Sequence, residues 1–170
     1  TIFLALGDDT VYGGAGHDSI YDMDGHSPIT PFATHDKVYG GTGNDFIMAG
    51  KGNDTYDGGE GSDTVSYSFS TAAVTVDLRP ATGTGTGSGD SFALGDRLIG
   101  IENIVGSAFN DTVYGNDADS FLDGRAGDDR LYGGGGADHL VGADGRDKLE
   151  GGSGNDTLDG GKSGDDLKGG

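Results

Sequence analysis

The segment 13–21 (GGAGHDSIY) recurs along this chain as 40–48 (GGTGNDFIM), 58–66 (GGEGSDTVS), 133–141 (GGGGADHLV) and 151–159 (GGSGNDTLD). The shared pattern is G-G-x-G-x-D-x-U-x, with U a large apolar residue and a period of nine. A nine-residue unit this short cannot bury its one apolar side chain alone. It must stack on copies of itself, so the chain is bound to a repetitive, quasi-one-dimensional fold.

Numbering each repeat 1 to 9 gives two blocks in register. In the first, position 8 holds Val11, Ile20, Ile29, Val38, Ile47, Tyr56 and Val65. In the second it holds Val113, Leu122, Leu131, Leu140, Leu149, Leu158 and Leu167. Position 6 holds Asp9, Asp18, Ser27, Asp36, Asp45, Asp54 and Asp63, then Asp111, Ser120, Asp129, Asp138, Asp147, Asp156 and Asp165. Pro28 and Pro31 intrude at 22–34, yet Ile29 and Val38 keep the count, so a divergent whole repeat is expected there.

Between the blocks the pattern lapses. Val74, Val76 and Leu78 alternate like a strand, and 82–91 (TGTGTGSGDS) reads as a flexible loop. The expected organisation is a first roll block at 1–75, an insert with short strands at 76–105, and a second block at 106–170. The last residues, Gly169 and Gly170, are the first two positions of another repeat, which reads as a piece of a longer protein.

These residues make the chain resemble the RTX family, the hemolysin-type calcium-binding repeat proteins. The segment 96–107 (DRLIGIENIVGS) resembles the lead-in found before RTX arrays. The resemblance implies an all-β, right-handed parallel β-roll, here two repeat stacks joined by an irregular insert. It also implies the C-terminal module of a bacterial protein exported by type I secretion, hence a secreted or cell-surface location.

Physical chemistry points the same way. A three-residue strand buries only its middle side chain, so two repeats must face each other. Eighteen residues then form one coil, and turns of repeats n and n+2 lie one above the other. Stacked carboxylates about 5 Å apart repel by about 1 kcal/mol even at the dielectric of water. A cation between turns removes that cost, and calcium accepts six to eight oxygens in irregular cages. The expected ligands are Asp9, Asp18, Asp36, Asp45, Asp54, Asp63, Asp111, Asp129, Asp138, Asp147, Asp156 and Asp165. The glycines at position 4 join them through inward carbonyls: Gly16, Gly43, Gly52, Gly61, Gly127, Gly136, Gly145 and Gly154. Roughly six to nine calcium ions are expected. The strongest pairs are Asp45 with Asp63, Asp138 with Asp156 and Asp129 with Asp147.

Composition narrows the rest. A formal net charge of −19 disfavours nucleic acid and anionic membranes and favours multivalent cations. Cysteine is absent, so neither disulfides nor zinc thiolates are available. No apolar run reaches membrane-spanning length. H-E-x-x-H, G-x-S-x-G and a complete P-loop are all missing, and the chain itself is expected not to be an enzyme. Other domains of a parent chain are expected partners. The alternative reading is a structural or adhesive surface scaffold. A further alternative is a glycan-contacting module, with Tyr21 over Tyr39 and Tyr114 over Tyr132 forming outer ladders. His17 over His35 is expected on one edge.

Overall fold

In the computed structural model the described residues are 1–4, 6–23, 34–79, 82–87 (backbone alone) and 92–170. The repeats of the first block form β1 (Ile2–Phe3), β2 (Thr10–Ala15), β3 (Ser19–Tyr21), β4 (Lys37–Thr42), β5 (Phe46–Met48), β6 (Thr55–Glu60) and β7 (Thr64–Ser66). The middle segment forms β8 (Val74–Asp77), β9 (Thr82–Gly87), β10 (Arg97–Ile99) and β11 (Asn103–Val105). The second block forms β12 (Thr112–Tyr114), β13 (Phe121–Asp123), β14 (Arg130–Gly135), β15 (His139–Val141), β16 (Lys148–Ser153), β17 (Thr157–Asp159) and β18 (Asp166–Lys168).

The glycine-rich turns reverse the chain after each strand, so successive strands of a block alternate between two facing sheets. One sheet runs β1-β3-β5-β7-β11-β13-β15-β17 and is parallel throughout. The other runs β18-β16-β14-β12-β8-β9-β10-β6-β4-β2. The chain is thus an all-β parallel roll, and the described residues contain no helix.

Position-8 side chains fill the space between the sheets. Ile20, Val38, Ile47, Tyr56, Val65, Val113, Leu122, Leu131, Leu140 and Leu149 are fully buried and belong to one continuous core. Each is worth about 2 kcal/mol in area removed from water. The middle segment contributes to the same core rather than to one of its own: Val76, Leu78, Leu98, Ile101 and Ile104 all join it.

Two expectations change, and a third finding concerns the join between the blocks. First, Val11 pairs with Val38 and Ile20 with Ile47, a step of 27 residues rather than 18. The stretch after Tyr21 therefore adds nine residues to one coil instead of contributing a stacked repeat. Adding one period leaves the residue count in phase, which is why the sequence pattern conceals it. Ile29, Ser27 and His26 lie outside the described residues.

Second, 82–87 is a strand. β9 pairs antiparallel with β8 on one side and β10 on the other, so it splices the second sheet. Alternating Thr and Gly have no core face to declare, and neighbours on both sides supply the hydrogen bonds that local sequence does not predict.

Third, Ile104 takes the position-8 role, pairing with Val65 and Leu122, but Val74 does not. Val76 pairs with Val113 instead. Because β7 pairs directly with β11, the fully parallel sheet crosses from one block to the other without a break.

The same extra nine residues change the outer ladders. Tyr12 stacks on Tyr39, with centroids 4.9 Å apart, and Tyr21 stacks on Phe3 at 5.0 Å. Tyr114 stacks on Tyr132 at 4.8 Å, as its 18-residue spacing requires. His17 and His35 do not stack: His17 Nδ1 accepts the Asn44 backbone N–H, and the His35 backbone N–H donates to Asp8.

Candidate metal sites

The turns are built by glycine and read out by aspartate. At positions 2 and 4 most of the glycines adopt positive φ, with Gly50 and Gly52 among the exceptions; at Gly43 and Gly61 it is 120° and 146°. L side chains are disfavoured there, and a Cβ on Gly61 would run into the Gly43 carbonyl below. At position 1 the reason is different. A Cβ on Gly40 would collide with the carboxylate of Asp45 and lie 2.6 Å from the Gly58 carbonyl of the next turn. The same cradle, one aspartate Oδ2 and one carbonyl from the next turn, recurs at Gly58, with Asp63 and Gly100, and at Gly133, with Asp138 and Gly151.

The position-6 aspartates form two ladders, one along each edge of the roll. In each rung the backbone N–H of one aspartate donates to Oδ1 of the aspartate in the following layer. On the edge entering the fully parallel sheet, Asp18 donates to Asp45 at 2.8 Å, Asp45 to Asp63 at 2.7 Å and Asp138 to Asp156 at 3.1 Å. Ser120 donates to Asp138 at 3.0 Å. On the other edge Asp9 donates to Asp36, Asp36 to Asp54, Asp111 to Asp129, Asp129 to Asp147 and Asp147 to Asp165, at 2.6–3.0 Å. All twelve expected aspartates therefore stand in the ladders. Asp9 stacks on Asp36, across the nine-residue addition, and not on the Ser27 layer.

This arrangement spends one carboxylate oxygen and leaves the other. Oδ2 of Asp9, Asp45, Asp63, Asp129, Asp138, Asp147 and Asp156 is buried without a hydrogen-bond partner. Desolvation raises the proton affinity of Asp63, Asp129, Asp138 and Asp147, partly offset by the backbone N–H each accepts. Burial lifts Asp63 and Asp138 to about 6 and Asp129 to about 8, with stacked neighbouring carboxylates adding to the rise. Asp147 is raised for the same first reason.

Two other places hold buried acids: Asp111 finds donors within the protein, whereas Asp22, Asp36 and Asp54 form a carboxylate cluster that could hold a metal ion. Asp111 accepts the Val74 backbone N–H, the Ser107 backbone N–H and the Ser107 hydroxyl. Around Tyr56, an unusually large position-8 residue, Asp22, Asp36 and Asp54 bring carboxylate oxygens within 4.8 Å of one another, all fully buried. The Tyr56 hydroxyl lies 3.2 Å from Asp22 Oδ2 and 3.1 Å from Asp54 Oδ2 and accepts the Gly50 N–H. Burial raises Asp54 to about 6. Asp96 closes this ladder: its Oδ1 accepts from Asp54 N–H at 2.9 Å and its Oδ2 from the Tyr67 hydroxyl at 3.1 Å.

Two ladder members lie outside the nine-residue pattern, Asp96 and Glu102, while Asp22 joins the buried cluster around Tyr56 rather than a rung. Glu102 Oε2 accepts the Asp63 N–H at 2.9 Å, in place of an aspartate. Asp96 and Glu102 each precede an apolar core residue by two, Leu98 and Ile104, which is the position-6 to position-8 spacing. That spacing was the available signal.

A family model for the RTX calcium-binding nonapeptide repeat, in four copies, matches residues 1–26, 32–65, 98–131, 105–140, 114–149 and 141–170. The chain belongs to this RTX calcium-binding repeat family. No curated protein matches it. The residues left unmatched, 27–31 and 66–97, fall where the roll departs from its 18-residue coil. RTX repeats bind calcium, and the donor set fits that ion: among the described residues every orphaned buried atom is a carboxylate oxygen, and the atoms near the cradles are backbone carbonyls, hard ligands in an irregular cage. The chain is a calcium-binding module.

Proposed function

We propose that this module folds on binding extracellular calcium and thereby supports the export and stability of a larger secreted bacterial protein. The observation that carries the reading is the row of buried Oδ2 atoms without partners. An isolated buried carboxylate costs several kcal/mol, and here the cost is repeated along both edges. Calcium between successive turns cancels it at every rung. Where calcium is scarce, as inside a cell, the chain stays expanded and acidic. Where calcium is millimolar, the ladders close.

The ligands in this reading are the ladder aspartates with an orphaned Oδ2, joined by carbonyls of the stacked turns, and the complement is roughly six to nine ions. The module itself is a binding element rather than a catalyst. Its location is extracellular or at the cell surface, and its partners are calcium and the other domains of its parent chain.

One observation speaks to the scaffold alternative. The unbroken sheet from β1 to β17 makes the two blocks one rod-like unit, which suits a spacer as well as a folding switch. Glycan contact has less support. The tyrosine rings stack face to face, 8° and 9° from parallel, so each covers one face of its partner, though Tyr12 stays exposed at the end of its ladder. Arg79 and Lys148 lie over Tyr114 and Tyr132 as well.

Circular dichroism of chelator-stripped protein tests the reading. At neutral pH the chain is expected to be largely coil and to gain strand signal on adding millimolar calcium. A full β spectrum in chelator at neutral pH would overturn it.

A further inference from the structure

We propose that Glu102 and the Gly100 carbonyl, both from the middle segment, complete a calcium site with Asp63 that ties this segment to the first repeat block. This deepens the calcium reading above and rests on it. Neither residue lies in a G-G-x-G-x-D unit, although both fall within the stretch 98–131 that the family model matches.

Three observations converge. Asp63 is fully buried and its Oδ2 has no hydrogen-bond partner. That oxygen and the Gly100 carbonyl both crowd the point where a Cβ on Gly58 would stand, so they face the same small space. The third is the ladder contact. Asp63 N–H donates to Glu102 Oε2 at 2.9 Å, the contact that every other rung assigns to an aspartate Oδ1. At the neighbouring Asp45–Asp63 rung the second oxygen of the accepting carboxylate, Asp63 Oδ2, is the one left without a partner.

The backbone holds the arrangement in place. Asn103 N–H and Asn103 Nδ2 both donate to the Asp63 carbonyl, at 2.9 and 3.1 Å, and Asn103 Nδ2 also reaches Ser62 Oγ. β11 then continues the parallel sheet from β7.

The consequence is directional. An ion at this rung links parts of the chain that lie far apart in sequence, and it stands where the first block ends and the spliced segment begins. Calcium at this rung therefore orders β10 and β11 as well as the repeats.

The test uses the whole chain, stripped of metal. Glu102→Gln keeps an oxygen to accept the Asp63 N–H, so the ladder bond and the fold are retained while the charge is lost. Glu60→Gln, an exposed acid in the same block, controls for net charge, and Asp138→Asn removes a ligand from a remote RTX rung. Calorimetric titration with calcium is expected to show one ion fewer for Glu102→Gln and the wild-type number for Glu60→Gln. Amide exchange should show the calcium-dependent protection of residues 97–105 falling about tenfold in Glu102→Gln, with residues 130–159 as in wild type. Wild-type stoichiometry and wild-type protection in Glu102→Gln, with Asp138→Asn losing calcium, would overturn this proposal and leave the calcium reading standing. Absence of calcium binding by the wild type itself would overturn both.

Discussion

Acid should fold this chain in the absence of calcium. Burial lifts the carboxyls of Asp54, Asp63 and Asp138 from 3.8 to about 6 and that of Asp129 to about 8. In the unfolded chain they titrate near 3.8. The roll therefore holds their protons more tightly than the coil does, and protonation favours folding. Their contribution is fully present below about pH 3.8 and is lost as the pH rises through about 6. At pH 7 without metal, each carboxyl lifted to about 6 opposes folding by about 3 kcal/mol, and at pH 5 by about 1.6 kcal/mol. Three such groups together recover about 4 kcal/mol between those values. Discounted by half, because the turns lie near solvent and screen one another, about 2 kcal/mol remains. Asp129 adds to it in the same direction. Asp77 and Glu150, held below the usual carboxylate range by Arg79 and Lys168, titrate at lower pH, outside this window.

The assay is a pH series from about 7.5 to about 5 in metal-free buffer, at micromolar protein, followed by circular dichroism and urea melting. It stops above the sequence pI of about 4.1, where neutral chains would precipitate. Strand signal should rise as the pH falls, with a midpoint near about 6. In saturating calcium the slope should reverse, because protons then compete with the ion for the same oxygens. A metal-free chain that loses structure on acidification, or slopes of the same sign with and without calcium, would refute the claim that orphaned carboxylates are what calcium relieves.

Four further outcomes follow from the geometry. Magnesium at equal concentration should raise the melting temperature far less than calcium, since an irregular cage of carbonyls and carboxylates does not match its tight octahedron; thermal melts in the two ions decide it. Asp147→Ala should lose more bound calcium and more stability than Asp9→Ala, because Asp147 stands between Asp129 and Asp165 whereas Asp9 heads its ladder; calcium titration of both variants checks this. Deleting residues 84–87 should lower the melting temperature well beyond the few degrees typical of a surface loop, because β9 bridges β8 and β10; a melt like wild type would show that the splice contributes nothing. Ala143→Gly should raise stability by about 1 kcal/mol, since Ala143 holds a φ of 73° that glycine adopts without strain; urea melts in calcium measure it.

Much of the roll is legible in the sequence because one period encodes two requirements at once. Position 8 must be apolar to fill the gap between sheets, and position 6 must be acidic to line the edge, two residues earlier. Pairings such as Asp45 with Asp63 and Asp129 with Asp147 follow from counting alone. Counting fails where the chain changes length by a whole period. Val11 and Val38 are as far in phase as Val38 and Tyr56, yet the first pair is 27 apart and the second 18. Only the partner strands distinguish them, and that ambiguity misplaces the Tyr21 and His17 stacks, while Tyr114 on Tyr132, beyond the added period, is as counting predicts.

The middle segment hides for a different reason. A repeat is recognised by its glycines, because positive φ at the turn favours that residue, with Arg125, Ala143 and Ser163 as exceptions. The sheets do not need those glycines; they need an apolar residue facing in and an acid two before it. Asp96 with Leu98 and Glu102 with Ile104 meet that requirement without the G-G-x-G frame. Val76 meets half of it, and the Val74 N–H at its turn donates to Asp111, as an aspartate N–H does elsewhere. The rung chemistry thus outlasts the turn chemistry. A segment that has lost the repeat's consensus still hands each ladder a carboxylate at the seam, so the two blocks share one core and one continuous sheet. Continuity of the roll is set by where acids and core residues fall relative to each other, and the glycine motif marks only the stretches in which the turns are tightest.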